Sequence, residues 1–311
     1  MNDFLVTWIA SIPALALPYA LASVGLIVSE RAGVLSLGAE GLMLVGALAG
    51  VGAYLTTDGS AFVAIVASMV AAGLVSVLFA VLVVWLRVNQ VIAGLALVFF
   101  CQGLTNLVGT LADWSNRAIP GIAELNFGFL SDLPVVGPIL FRHDVLIYLL
   151  VPVCFSVHYF LSSTTYGLKL KAVGENPDAA DAAGINVSRV RFWAVVAGAL
   201  LVGSAGGYLS VVSAKIWVAG MTSGRGWIAV ALVIFARWKP VQALAGAILF
   251  GAVEALIPQL NAAGVKLPQY YLLMTPYVAT FVVMIWQAFR ERSDADGPAS
   301  LGQPYIREER T

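Results

Sequence analysis

Charge is what this sequence has little of. Of 311 residues only 11% are charged and 60% are hydrophobic, with a mean hydropathy of +0.91, whereas an ordinary soluble domain is roughly 25% charged. The 17 basic and 17 acidic side chains are too few to solvate the surface of a globule this size, and they gather in short clusters between apolar runs. A soluble enzyme is thereby excluded, and the balanced charge leaves no basic field for nucleic acid. Cysteine is equally scarce. Cys101 and Cys154 both lie inside apolar runs, so no disulfide framework is expected, and neither His143 nor His158 has a Cys or second His at ligand spacing. No GxxxxGK[ST] phosphate loop occurs, so the chain does not harness ATP by that route. Met1-Asn2-Asp3 also lacks the basic start of a cleavable signal peptide.

What is present is length without charge. A helix crossing a bilayer needs about 20 apolar residues, and Phe4–Val28, Gly59–Leu86, Val88–Leu111, Val145–Tyr166, Phe192–Ala214 and Leu267–Phe289 satisfy this. These runs are apolar on every face, which excludes the alternating ten-residue segments of a β-barrel. Three further crossings are less regular. Residues 32–57 are interrupted by Glu40 and by Gly33, Gly38 and Gly41. Residues 216–236 are broken by Gly220, Gly224, Arg225 and Gly226, and Val241–Leu260 carries Glu254. The uninterrupted part of 216–236 reaches only about 15 Å at 1.5 Å per residue, half a bilayer. The fold expected is therefore all-α, a polytopic transmembrane bundle of about nine spans with broken or half helices at comparable places in two pseudo-repeats.

Basic residues orient it. Lys169, Lys171, Arg189, Arg191, Arg237, Lys239, Arg290 and Arg292 fall on one side together with Arg31 and Arg87, and that side is taken as cytoplasmic. Residues 1–289 then form a single transmembrane domain, with 164–191 a cytoplasmic loop and 290–311 a cytoplasmic tail expected to be disordered. The loop is dense in helix signals. Asn176 is a good N-cap, Pro177 suits the first helical position, Asp178 favours the positive end of the dipole, alanines propagate, and Gly184 fits a left-handed stop. Two turns are too short to persist alone in water, so this helix must pack on something.

These residues carry a resemblance. Asp178-Ala179-Ala180-Asp181-Ala182-Ala183-Gly184-Ile185 resembles the coupling-loop motif by which permease subunits of ABC importers dock onto their ATPase. With it, the stretches Gly25–Gly50, Asn89–Leu97, Gly167–Val187 and Gly224–Pro240 resemble the permease family of ribose-type and branched-chain amino-acid importers. Within that family they are most similar to the nucleoside-type subgroup served by basic-membrane-protein-type lipoproteins. Gln90 departs from the Glu expected in many relatives. The resemblance implies a multi-pass protein of a bacterial inner membrane that performs no bond chemistry and binds no cofactor itself. ATP would be used by a cytosolic ATPase partner. A second permease subunit, in a heterodimer, and an extracytoplasmic solute-binding protein complete the implied partners, with lipid around them. It also implies that Asn176, Asp178, Ala179, Ala180, Ala183 and Gly184 form the ATPase contact.

Ionisable groups at membrane depth are costly and mark candidate sites. Glu40, Arg225 and Glu254 qualify; Glu40 and Arg225 lie at the two breaks and are expected either to pair or to touch solute, while Glu254 either lines the path or snorkels to the outer interface. Gln102, Thr105 and Asn106 share a helix face, and their amides suit hydrogen bonding to an uncharged polar solute or to a neighbouring helix. Import of a nucleoside or related small polar solute follows as the first reading. A simple-sugar or branched-chain amino-acid permease is the alternative, and an ion-coupled secondary transporter using Glu40 and Glu254 is a further one.

Overall fold

A computed structural model describes residues 2–57, 59–262, 264, 274, 278, 281, 282, 285 and 297–306. Among them all regular structure is helical. α1 (Asn2–Glu30) leads to α2 (Ala39–Thr56), α3 (Ala61–Ala80, carried on by a π-helical turn to Trp85), α4 (Gln90–Leu111) and α5 (Val145–Ser163). Two short helices follow, α6 (Thr165–Glu175) and α7 (Pro177–Ala182). Then come α8 (Val187–Gly207, continued by a π-helical turn Tyr208–Ser213), α9 (Arg225–Phe235) and α10 (Pro240–Ala262).

Seven of these helices are long and apolar enough to cross a bilayer: α1 to α5, α8 and α10, counting the π turns with α3 and α8 and leaving out α6, α7 and the short α9. Polar residues set where several begin. Asn89 accepts from Val91 N–H at 3.0 Å to cap α4, Asp144 from Leu146 N–H at 2.9 Å to cap α5, and Asn186 from Arg189 N–H at 3.0 Å to cap α8. Residues 32–57 depart from the expected broken span. The break is confined to 31–38, and α2 runs without interruption through Glu40 and Gly41, because the carboxylate sits in the first turn where negative charge favours a helix. Residues 216–236 do break: α9 supplies 11 helical residues and 214–224 is largely non-helical. Most of the expected span Leu267–Phe289 lies outside the described residues.

α1, α2 and α8 form the buried centre, α3 packs on α2 and α8, α9 on α1 and α2, α10 on α1, and α4 and α5 stand on the periphery. The central crossing depends on the absence of side chains. A Cβ on Gly46 would strike the backbone of Gly203, and one on Gly206 the carbonyl of Met43, so only glycine lets α2 and α8 approach this closely. That is the small-residue packing expected where hydrophobicity cannot drive helices together.

One end of the bundle gathers the basic residues. Arg31 donates to the carbonyls of Trp238 (3.2 Å) and Arg237 (3.3 Å), while Trp238 Nε1 donates to Glu30 Oε2 at 2.7 Å, tying the end of α1 to the turn between α9 and α10. The tail is in part a correction. Residues 297–306, expected to be disordered, lie against this end, where Ser300 is 5% exposed and donates through N–H and Oγ to the Gly174 carbonyl at 3.0 and 2.7 Å. A Cβ on Gly174 would strike the Arg31 carbonyl, so glycine there lets α6 approach the break after α1 closely.

Gly206→Val, whose added carbon would strike the Met43 carbonyl of α2, should lower the stability of the detergent-purified protein by about 1–3 kcal/mol through overpacking. Gly103→Val, with nothing within 4 Å of the added carbon, should leave the thermal midpoint near that of the unchanged protein. Equal midpoints for both variants would contradict the assignment of the α2–α8 crossing.

Candidate functional site

The two breaks meet. α9 spans about 16 Å at 1.5 Å per residue, so its first residue, Arg225, lies about half a bilayer from the end that carries Arg237. There the Glu40 carboxylate accepts three hydrogen bonds: to Oε1 from Thr222 Oγ1 at 2.6 Å and Gly224 N–H at 2.8 Å, and to Oε2 from Gly226 N–H at 2.7 Å. Glu40 is 7% exposed. It stands in the first turn of α2 and over the first turn of α9, so one negative charge faces the positive ends of two helix dipoles. Gly224 adopts φ +87°, and a Cβ on Gly226 would collide with the backbone of Glu40. The glycines noticed in the sequence therefore serve this approach.

The expected pairing of Glu40 with Arg225 is not made. Glu40 is taken up by backbone amides and a hydroxyl, and Arg225 instead bonds Glu254 Oε1 at 2.5 Å. Tyr19 donates to the other oxygen of Glu254 at 2.8 Å, joining α1, α9 and α10. Nor does Glu254 snorkel: its side chain is 20% exposed and faces the arginine. All three sequence candidates at the breaks are thus engaged within the chain.

The α4 trio separates. Thr105 is buried and turns back to the Cys101 carbonyl at 2.8 Å, whereas Gln102 and Thr110 are exposed and Asn106 is half-buried. Gln102, Asn106 and Thr110 follow at steps of four and share the face directed away from α2, with Phe99 (70% exposed) and the open Gly103 beside them. Asn106 Oδ1 is buried and accepts nothing, and Trp217 Nε1 donates to nothing. The Trp217 ring packs on Gly109, one turn along from Asn106, so an unpaired acceptor and an unpaired donor occur at neighbouring levels. Gln90 is 2% exposed and accepts from Leu35 N–H at 2.6 Å, a task that an uncharged amide performs as well as a carboxylate.

A cavity of about 840 Å³ opens at the end opposite α7, between the outer halves of α1 and α8 and the segment before α5. At its wall Tyr208 donates to Asp144 Oδ2 at 3.0 Å while Asp144 Oδ1 caps α5, and Glu124, Arg142 and Lys215 are among its lining residues. Sequence reasoning passed over this cavity. Asp144 before an apolar run is a legible cap, but nothing in the run around Tyr208 announces its partner.

In α7, Asn176 Oδ1 accepts from Ala179 N–H at 2.9 Å and Gly184 takes φ +82°, as the cap and stop residues predict. Asp178, Ala179, Ala183 and Gly184 are exposed. Ala180 is not. It is 4% exposed and packs with Val173 and Val187, next to Tyr305, so it anchors α7 to its own chain and does not belong to the outward face. Among the described residues no cluster of His, Cys, Asp or Glu has the makeup of a metal site.

Glu40→Ala leaves three donors without their acceptor, and unsatisfied buried polar groups cost about 1–3 kcal/mol each. Hydrogen exchange followed by mass spectrometry should show the amides around 224–228 opening faster in this variant, with α3 unchanged. Unaltered exchange there would refute the capping role.

Residues 8–285 match the family described as branched-chain amino acid transport system / permease component. The chain is 39% identical to the putative glucose ABC transporter permease protein TsgC13 of Haloferax volcanii, across 93% of this chain and 94% of that one. It is 32% identical to the guanosine ABC transporter permease protein NupQ of Bacillus subtilis, across 95% of each. With the nucleoside ABC transporter permease protein NupC of Lactococcus lactis it shares 33% identity, across 86% of this chain and 87% of that one. A helical bundle of bilayer-spanning length, broken at mid-depth and matched to these relatives along nearly its whole length, belongs to the branched-chain amino acid transport system permease family and is a permease subunit of an ABC importer.

Proposed function

We propose that this permease carries a nucleoside, or a related uncharged polyhydroxylated solute, along a path lined by Gln102, Asn106 and Thr110 of α4. The observation that carries this reading is the stripe of Gln102, Asn106 and Thr110, in which Gln102 and Thr110 are exposed and Asn106 between them is half-buried with its Oδ1 unpaired. Polar side chains at membrane depth find partners across helices or line a wet cavity. A second permease subunit seated against α4 would close such a path. Glu40, Arg225 and Glu254 hold the broken helices together at its side and leave the lining neutral. Phe99 on the same face offers a ring for a base to stack on, and the guanosine and nucleoside permeases among the relatives favour the same class. The 39% identical putative glucose permease favours a second reading, a simple sugar. Ion coupling is disfavoured because both acids are already engaged by groups of this chain. The 840 Å³ outer cavity is large enough to receive solute from an extracytoplasmic binding protein. A cytosolic ATPase supplies the ATP-driven step through Asn176, Asp178, Ala179, Ala183 and Gly184, with Ala180 beneath them as packing.

Uptake of labelled nucleoside by the assembled transporter, competed with glucose and leucine, tests the solute class. Unlabelled nucleoside should displace the label and leucine should not; displacement by glucose alone would transfer the assignment to sugars. Asn106→Leu should weaken uptake roughly two- to tenfold, the effect of one lost hydrogen bond of about 0.5–1.5 kcal/mol, while the ATPase still co-purifies. Normal apparent affinity in both Asn106→Leu and Gln102→Leu would remove α4 from the path.

Orientation is tested by labelling single cysteines with an impermeant thiol reagent on intact cells. The native Cys101 and Cys154 are fully buried and give little background. A cysteine at exposed Phe129 should react from outside and one at exposed Ala183 should not; the reverse pattern would invert the topology.

A further inference from the structure

The tail segment 297–306 is bonded to three separate parts of the α7 end. Arg191 of α8, 3% exposed, donates to the Ala32 carbonyl at 3.2 Å, the Gln303 carbonyl at 2.9 Å and Ser300 Oγ at 3.1 Å. One buried guanidinium thus joins the break after α1, the tail and α8. A buried charge that loses its partners is strongly destabilising, so these bonds favour the docked tail. Gly302 N–H adds a bond to the Gly33 carbonyl at 3.3 Å, and Gly33, at φ +85°, has no room for a side chain beside Ser300.

From Ser300 the chain runs on beside α7. Tyr305 packs on the cluster of Val173, Ala180 and Val187 that anchors this helix. α7 consequently stands as a ridge between two grooves of about 220 and 210 Å³. The first lies between α7 and the tail, with Asn176, Asp178 and Gln303 on its walls; the second lies towards the end of α3, with Trp85, Arg87 and Asp181. Tyr305 lines both. Gln303 and Pro304 are exposed next to the exposed face of α7.

We propose that the tail is half of the docking surface for the cytosolic ATPase: the partner seats on the α7 ridge and on Gln303, Pro304 and Tyr305 together. This rests on reading α7 as the ATPase contact. Two features favour that occupant. The tail surface is continuous with the outward face of α7, and the groove between them carries exposed Glu175 and Asp178, which suit a basic group on the partner. A two-turn helix alone offers little area, and a flanking strap enlarges the surface while fixing the direction in which the ridge points.

The experiment is photo-crosslinking in the complete transporter. A photoreactive phenylalanine analogue is placed singly at Gln303, at Ala183, and at Phe129 at the far end of the molecule. Crosslinks to the ATPase are expected from positions 303 and 183 and not from 129. Crosslinking from 183 without 303 overturns the tail proposal and leaves the α7 reading standing. Silence from both overturns the α7 reading as well. Crosslinks from 303 to the second permease subunit assign the tail to a different interface and also overturn the proposal. In parallel, bulk added at exposed Gln303 by Gln303→Trp should reduce co-purified ATPase by roughly fivefold or more, the scale of disturbing one interface contact. The thermal midpoint of the purified permease should stay in place, and unchanged co-purification counts against the tail.

Discussion

The Glu40 carboxylate holds together what the chain has broken. A helix that starts at mid-membrane depth exposes amide groups that lipid cannot satisfy, and each unsatisfied group there is costly. This chain starts two helices near that depth, α2 after the 31–38 break and α9 after 214–224. A single carboxylate links them: it lies in the first turn of α2 and accepts the Gly224 and Gly226 amides at the start of α9. The close approach this requires explains why Gly226 carries no side chain. Arg225, whose charge would otherwise be left in the interior, is neutralised separately by Glu254 with help from Tyr19.

Neutralisation by internal pairs has a consequence for transport. When every charge near the middle of the bundle is committed to holding helices, the surface left for a solute is uncharged. α4 supplies such a surface. Its buried face packs through Gly94, Cys101 and Gly109, and its outward face carries Gln102, Asn106 and Thr110 among apolar residues. The helices that hold the bundle are thus distinct from the one proposed to face solute: α2, α8 and α9 hold, and α4 keeps an uncommitted polar face.

At the end bearing α7 the same economy of contacts recurs on a smaller scale. α7 is only six residues long and has no stability of its own. It is held by Asn176 at its start, by Ala180 beneath it and by Tyr305 beside it. Arg191 connects this assembly to the break after α1, the same break that leads into Glu40. A continuous run of contacts therefore joins α7, through 31–38, to the mid-depth junction.

Much of this was legible in residue order because it is local. Bilayer-length apolar runs determine spanning helices wherever they occur. Asn176, Pro177 and Gly184 specify a short helix by chemistry within a few residues, and the lysines and arginines specify a common end. The positions of both breaks were also visible in their glycines. What residue order did not contain is which groups meet across the fold. Glu40 and Arg225 carry opposite charges and lie at the two breaks, yet the amide donors of the α9 first turn occupy the carboxylate, and the arginine reaches α10. Thr105 and Asn106 are adjacent in sequence and face different surroundings. Ala180 turns inward while Ala179 turns outward, and the tail docks where Gly33 leaves space for Ser300. These outcomes depend on which segments meet, over separations from 29 residues for Arg225 and Glu254 to 186 for Glu40 and Gly226, which helical periodicity does not encode and close packing of the bundle decides.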